Sequence, residues 1–149
     1  MATDDDIKYD RSLLGVSNSL GQFQVTAQMI LDFAQSCGET NPVHSDEARA
    51  RESEFGGLIA PPTFLRSITT VRPELPFSLS LERLLDAGSE WEYFVPIKAG
   101  DKITAVGRIT DISERTGRLG VMVFMTVVIT YRNQHNQVAA TQTSTSIRY

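Results

Sequence analysis

The segment Gly38–His44 gathers residue types that acid–base chemistry needs. Glu39 and His44 stand five positions apart, on a stretch that Asn41 and Pro42 stiffen. A histidine changes its protonation near neutral pH, and a carboxylate can orient or deprotonate a water molecule. General acid–base catalysis on one water molecule is therefore one interpretation of the segment. The other is structural: a solvated Glu39, an Asx turn at Asn41 and a packed or capping His44.

A second candidate region is the segment Phe55–Thr63, which combines a glycine pair with two prolines. Gly56–Gly57 lets the backbone approach a ligand closely, and free N–H groups at a helix start can stabilise an oxyanion. Pro61 and Pro62 carry no N–H, so they remove two donors where such a hole would form. The residues alone therefore favour a structural interpretation, a turn followed by a helix with proline at its first position.

The composition limits the class of protein. A chain of 149 residues with 41% hydrophobic and 21% charged residues predicts one folded domain over residues 1–149. The net charge of −4 argues against nucleic acid as a partner, because duplex binders carry a basic excess. The single cysteine, Cys37, cannot form an intrachain disulfide, and we expect it to be a small buried hydrophobe. The two histidines show no zinc-ligand spacing, so we expect no metal and no cofactor.

We expect a cytoplasmic protein that has no membrane partner. The longest strongly apolar stretch, Val121–Ile129, is far shorter than the ~20 residues of a spanning helix. Met1–Asp6 carries three consecutive aspartates, unlike the basic and apolar start of an export signal. We interpret residues 1–15 as an acidic arm that is loosely attached to the domain.

Helix signals occupy the first half of the chain. Apolar residues at the i, i+3, i+4, i+7 spacing predict a helix over Thr26–Cys37, with Thr26 as its cap and Gly38 at its end. A second, short helix is predicted from Ser45. A third is predicted from Pro61, with an apolar stripe of Phe64, Leu65, Ile68 and Val71. The segment Phe77–Gly88 fits either a helical turn or the approach to a strand.

From Glu90 onward the apolar pattern changes to the period of two that strands show. Strands are predicted within the ranges Glu90–Val95, Ile103–Ile112, Arg118–Tyr131 and Val138–Arg148. Turns are predicted at Glu114–Gly117 and Asn133–Asn136. Helices followed by an antiparallel meander predict the α+β class.

The stretch Val121–Tyr131 is apolar on both faces of its predicted strand. An antiparallel strand with one wet face would instead alternate between apolar and polar residues. We expect the helix after Pro61 to cover one face and a partner subunit or the N-terminal region to cover the other. The pattern therefore predicts an oligomer.

Four motifs together resemble one family. They are Gly38–His44, Ala60-Pro-Pro-Thr-Phe64, Trp91–Pro96 and Ala99-Gly-Asp101. In this order, and over nearly the whole chain, they are similar to the MaoC-like branch of the hot-dog-fold enzymes, and in particular to its N-terminal-type dehydratase domain. That branch includes (R)-specific enoyl-CoA hydratases and 3-hydroxyacyl dehydratases.

The resemblance implies a single hot-dog domain, in which an antiparallel sheet wraps around a central helix, here the one from Pro61. Two such domains pair side by side, so a homodimer or a heterodimer with a related hot-dog subunit is implied. The implied substrates are acyl thioesters of coenzyme A or acyl carrier protein. Basic residues that could meet the phosphates of coenzyme A, or be ordinary surface charges, are Arg51, Arg66, Lys98 and Lys102.

The same resemblance implies the site residues. Glu39 and His44 activate water for addition to a trans-2-enoyl thioester, or run the reverse dehydration, and Asn41 orients the loop. Backbone groups that bind the oxyanion or the substrate are expected in the same cleft, at Gly56, Gly57, Ala60 and Thr63.

Two departures from the family pattern keep other functions open. Glu39 replaces the family's aspartate, and Ala60-Pro61-Pro62 stands where active hydratases have a His-Gly-Met-type sequence. The alternatives are a non-catalytic, acyl-chain-binding subunit of a heterodimeric dehydratase, and a hot-dog thioesterase.

Overall fold

Five antiparallel strands form one sheet in the computed structural model, which describes residues 11–68 and 81–149. In chain order the strands are β1 (Asn18–Gln24), β2 (Leu84–Tyr93), β3 (Lys102–Gly117), β4 (Gly120–Arg132) and β5 (Val138–Arg148). Their order across the sheet is β1-β3-β4-β5-β2, so β1 and β2 are the edges among the described strands. Together with the helices before β2, this sheet confirms the predicted α+β class.

The β3–β4 hairpin is longer than the sequence pattern predicted. Pairing continues to Gly117 opposite Gly120, so the turn lies at residues 118–119 and the turn predicted at Glu114–Gly117 is wrong. Gly120 has φ 89°, a left-handed conformation that glycine adopts at no steric cost. Residues 114–116 are polar and exposed, which resembles a turn in the sequence, but their backbone is paired with β4. The turn predicted at Asn133–Asn136 is confirmed.

The described residues contain four α-helices: α1 (Ala27–Ser36), α2 (Pro42–Ser45), α3 (Glu47–Glu52) and α4 (Phe64–Ile68). The predicted ends of α1 are confirmed. The Thr26 side chain accepts an N–H of the first turn, and Gly38 follows the helix at φ 69°. The second predicted helix begins after Ser45, because Asp46 is the residue that caps α3. The residues before Asp46 form the separate turn α2.

Helix α4 begins three residues after the predicted start at Pro61. Thr63 has φ 71°, a left-handed conformation that an α-helix does not contain. Phe64 and Leu65 are 1% and 2% exposed and belong to the core, as their place in the predicted stripe requires. Ile68 packs against the core, and Val71, the last residue of that stripe, lies outside the described residues. The length of this helix therefore stays a prediction.

Strand β1 has no counterpart among the predicted elements. It pairs with β3 and places Leu20, which is 2% exposed, in the core. Gly21 interrupts the alternation, and the register shifts between Ser19 and Gly21, so the period of two is hidden in the sequence. Before β1, the N–H of Gly15 donates to the carbonyl of Ile109 at 2.8 Å. Residues 1–10 of the predicted arm lie outside the described residues.

One face of β4 lies in the core, and the other is half-buried. Val123, Ile129 and Tyr131 are buried on the inner face. Phe124 and Val128, on the opposite face, keep partial exposure. The described residues therefore bury one of the two apolar faces of β4, and what covers the second face stays a prediction.

The start of β2 and the exposure of Cys37 bear on two further sequence predictions. Within the ambiguous segment Phe77–Gly88, the chain is in strand β2 from Leu84 onward. Cys37 is exposed, contrary to expectation, because it lies at the C-terminal cap of α1, beyond the buried helix residues Ile30 and Ala34. Among the residues that the structure describes, no helix has the length and apolarity needed to span a membrane.

Candidate active site

Short-range hydrogen bonds hold the loop that follows α1. The N–H of Glu39 donates to the carbonyl of Ala34 at 2.8 Å, at the end of α1. One oxygen of the Glu39 carboxylate accepts the N–H of Asn41 at 2.8 Å. The Asn41 side chain accepts the N–H of Val43 at 3.2 Å and so caps α2. Asn41 is thus the cap of the helical turn that carries His44.

His44 is buried, with 8% of its surface exposed, and its ring is fixed by one strong contact. Its Nδ1 lies 2.8 Å from the carbonyl oxygen of Ile59. Because a carbonyl can only accept, Nδ1 carries the hydrogen, and Nε2 of the neutral ring is left to accept a proton. The N–H of Ile59 also donates to the carbonyl of Val43 at 3.0 Å. Both bonds hold the same segment against α2.

A cavity of about 350 Å³, here called the histidine cavity, opens beside His44. Its walls are mostly apolar and include Ile59, Ala60, Pro61, Pro62, Phe64, Leu65, Tyr93, Phe94 and Ile97. Tyr93 and Phe94 are 48% and 54% exposed, so they form the outer rim. An apolar cavity with one buried, proton-accepting group fits a ligand that has an apolar body and a polar reacting end.

A second cavity, of about 300 Å³, contains the glycine pair. Gly56 and Gly57 line it together with Glu47, Arg51 and Lys98. Neither glycine lines the histidine cavity, so the predicted single cleft is divided in this structure. Of the basic candidates, Arg51 forms a 2.7 Å ion pair with Glu47, and Lys98 lines this second cavity.

Three of the four backbone N–H groups expected to bind an oxyanion, those of Gly56, Ala60 and Thr63, are engaged within the chain. The N–H of Ala60 donates to the carbonyl of Ile97 at 2.7 Å, and that of Gly56 closes its own turn at 3.0 Å. The N–H of Thr63 donates to the hydroxyl of Tyr93 at 3.0 Å. The expectation that these three groups are free for a ligand is therefore corrected, because turn and side-chain contacts already use them.

Glu39 and Asn41 do not line either of these cavities. Within the described ranges, no direct hydrogen bond joins Glu39 to His44, and one carboxylate oxygen of Glu39 accepts no hydrogen bond. Cooperation of the two side chains through a water molecule therefore stays a prediction. In the same ranges, no three acidic, cysteine or histidine side chains come together as a metal site would require.

Sequence reasoning did not select Tyr93, which the structure places on the rim of the histidine cavity. Its ring stacks on that of Trp91, with centroids 6.1 Å apart and planes at 8°. Trp91 stacks in turn on Tyr131, which is fully buried, at 5.8 Å. The alternation of Trp91 and Tyr93 placed both on one strand face, but it carried no sign of a cavity.

The sequence from residue 12 to residue 142 matches the model of the family described as the FAS1-like dehydratase domain region. The chain belongs to this family. A UPF0336 protein of Streptomyces coelicolor is 31% identical over 114 residues, which cover 72% of this chain and 76% of the relative. A probable enoyl-CoA hydratase alpha subunit of Thermomonospora curvata is 31% identical over 148 residues, which cover 87% of this chain and 46% of the relative. The chain thus spans about half of the second relative.

Solved structures confirm the predicted hot-dog fold. A MaoC-like dehydratase from Rhodospirillum rubrum matches with a TM-score of 0.73 at 24% identity, over 95% of this chain and 97% of the other. An (R)-hydratase from A. caviae, involved in PHA biosynthesis, matches with a TM-score of 0.69 at 22% identity, over 92% of this chain and 98% of the other. The HadBC (3R-hydroxyacyl-ACP dehydratase) complex from Mycobacterium tuberculosis matches with a TM-score of 0.72 at 19% identity, over 91% of this chain and 96% of the other. Together with the match to the dehydratase family model, this shared fold confirms the resemblance to MaoC-like dehydratases.

Proposed function

We propose that this chain is a hydratase or dehydratase that interconverts trans-2-enoyl and (R)-3-hydroxyacyl thioesters of coenzyme A or acyl carrier protein. Membership of a dehydratase family supports the reaction class. The observation that carries the proposal is the environment of His44. Its Nδ1 is held by the Ile59 carbonyl, while the ring lines an apolar cavity.

In the hydration direction, Nε2 of His44 takes a proton from water as the water oxygen bonds to C3 of the enoyl thioester. The electron pair of the C2–C3 double bond moves toward the thioester, and negative charge develops on its carbonyl oxygen. The protonated imidazole then returns the proton to C2, so that one water molecule is added in total. Dehydration is the same path in reverse.

We propose a supporting role for Glu39 in this proton transfer. One of its oxygens holds the N–H of Asn41, and the other accepts no hydrogen bond within the described part of the chain. We assign this second oxygen to the attacking water, which it orients for His44. Water is needed as a link because the two side chains do not bond directly.

The experiment is an assay of the purified chain with trans-2-octenoyl-CoA, followed by loss of the conjugated enoyl absorbance and by identification of the product. The proposal requires 3-hydroxyoctanoyl-CoA to form. Release of free coenzyme A without a hydroxyacyl product would instead assign a thioesterase. The same assay compares His44→Ala with His135→Ala as its matched control. His135 is the second histidine of the sequence and lies in the exposed turn between β4 and β5.

A second candidate function is that of a binding subunit that shapes an acyl channel for a catalytic partner. The observation that favours it is the segment Ala60–Pro62, which offers the histidine cavity no free backbone N–H. Two structural neighbours with the same fold are the complexes named ChsH1-ChsH2 and HadBC. This function predicts that the chain alone is inactive with enoyl thioesters and that activity appears only after a second hot-dog subunit is added.

A further inference from the structure

The proposed reaction needs a hydrogen-bond donor for the thioester carbonyl oxygen. Negative charge develops on this oxygen when water adds to C3, and a fixed donor at that position lowers the barrier. The segment Ala60–Pro62, which precedes α4 and lines the histidine cavity, cannot supply it from its backbone. Pro61 and Pro62 have no N–H, and the N–H of Ala60 donates to Ile97. A side chain that lines the histidine cavity is therefore the candidate donor.

Tyr93 has a hydroxyl in a suitable state. Its oxygen accepts the N–H of Thr63 at 3.0 Å, and no other hydrogen bond of this hydroxyl occurs in residues 11–68 and 81–149. A phenol has one hydrogen to donate besides its lone pairs, so the bond from Thr63 leaves that hydrogen unused. Tyr93 and His44 line the same cavity. We propose that Tyr93 donates this hydrogen bond to the carbonyl oxygen of the bound thioester; the inference rests on the proposed function.

The position of the Tyr93 ring is fixed before any ligand binds. The ring stacks on Trp91, and Trp91 stacks on Tyr131, which is fully buried. The Tyr131 hydroxyl donates to the Gln142 side chain at 3.2 Å, which anchors the inner end of the stack. A donor held in this way needs little reorganisation during the reaction, which is the condition for strong electrostatic stabilisation.

The backbone at Thr63 contributes to the same arrangement. Thr63 has φ 71°, which non-glycine residues seldom adopt because it is sterically unfavourable. In this conformation its N–H donates to the Tyr93 hydroxyl at 3.0 Å. The strained Thr63 therefore holds the hydroxyl of Tyr93, a residue that lines the histidine cavity, and such backbone strain is frequent at functional sites.

The test compares the wild type with Tyr93→Phe, which removes the hydroxyl and keeps the ring stack. The probe is S-octanoyl pantetheine with a ¹³C-labelled carbonyl, since pantetheine is common to both carriers and a saturated chain cannot be hydrated. Bound to the wild type, its carbonyl stretching band is expected at lower wavenumber than in water. In Tyr93→Phe this shift is expected to disappear, and kcat for enoyl hydration to fall by ~10²- to 10³-fold, the effect of losing one oxyanion donor. Tyr149→Phe, at the end of the chain, is the control and is expected to match the wild type.

Each other outcome has one meaning. A band shift that persists in Tyr93→Phe, with or without a loss of kcat, assigns the donor to another group and overturns the inference. A wild type without a shifted band overturns it as well. A wild type that hydrates no enoyl thioester but shows the Tyr93-dependent shift refutes the proposed hydratase activity and retains the contact between Tyr93 and the thioester.

Discussion

The Nδ1 of His44 donates to the Ile59 carbonyl at 2.8 Å, across 15 positions of the chain. This bond has a structural and a chemical consequence. It satisfies a carbonyl at a residue that is 9% exposed, and it leaves Nε2 as the acceptor of the ring. Two substitutions of His44 can therefore separate stability from catalysis.

His44→Ala and His44→Asn are both expected to lower enoyl hydration by ~10²- to 10⁴-fold, because neither has a proton acceptor in place of Nε2. They differ in stability. Alanine leaves the Ile59 carbonyl without its donor, at a cost of about 1–3 kcal/mol, whereas the asparagine amide keeps a donor near the position of Nδ1. Urea denaturation and initial rates measure the two effects. A His44→Asn variant with wild-type rates would show that His44 is structural only.

Glu39→Gln tests whether Glu39 takes part in chemistry or only orders the loop. The amide oxygen can still accept the N–H of Asn41, which the carboxylate now accepts at 2.8 Å, so the loop is expected to keep its shape. The amide then places an NH₂ donor, instead of an acceptor oxygen, where the second carboxylate oxygen is assigned to orient the attacking water for His44. Participation of Glu39 therefore predicts a loss of ~10²-fold or more in kcat with an unchanged melting temperature.

Glu39→Asp is the companion variant. It keeps the charge and withdraws the carboxylate by one methylene toward the geometry of the family's aspartate. If the glutamate is a working replacement, Glu39→Asp is expected to retain or raise the hydration rate of the wild type. An inactive wild type that Glu39→Asp fails to rescue supports the binding-subunit function.

Asn41→Ala is expected to cost about 1 kcal/mol of stability, because it removes the cap of α2. It is also expected to lower kcat, because α2 carries His44. The matched control is Thr26→Ala, which removes the corresponding cap of α1 at similar cost, away from the histidine cavity. Equal activity of the two variants, measured with their unfolding curves, would contradict an orienting role for Asn41.

The elements that sequence predicted well depend on neighbouring residues. Helix α1 follows from local apolar spacing and from caps at Thr26 and Gly38, all within 13 positions. The loop with Glu39, Asn41 and His44 could also be predicted, because its residues are neighbours in the sequence. Strand β1 was not, because Gly21 breaks its alternation and its partner strand lies some 80 positions later.

The parts of the site that sequence could not predict depend on contacts that are distant in the chain. The N–H of Ala60 is removed from the site by Ile97, 37 positions away. The hydroxyl of Tyr93 meets the N–H of Thr63 across 30 positions. No local pattern encodes either contact. The motif alone therefore points to backbone N–H donors and gives no sign of the Tyr93 hydroxyl on β2.

The last prediction is a dimer, with itself or with a related chain, that pairs sheets edge to edge. Among the described strands, β2 lies at an edge of the sheet, and Leu84 and Leu85 on it are 48% and 47% exposed. An edge strand with exposed apolar side chains favours pairing with another strand. Sedimentation of the purified chain at micromolar concentration is expected to give twice the monomer mass of 16.5 kDa.

Leu85→Lys places a charge on this edge and is expected to shift the homodimer toward monomer. Leu119→Lys is the control, because Leu119 is 61% exposed in the turn between β3 and β4, at a distance from the β2 edge in strand order. A wild type that sediments only as monomer, and that binds no related hot-dog subunit, would exclude the dimer. A Leu85→Lys variant that stays dimeric would place the interface elsewhere, with the half-buried face of β4 as the next surface to test.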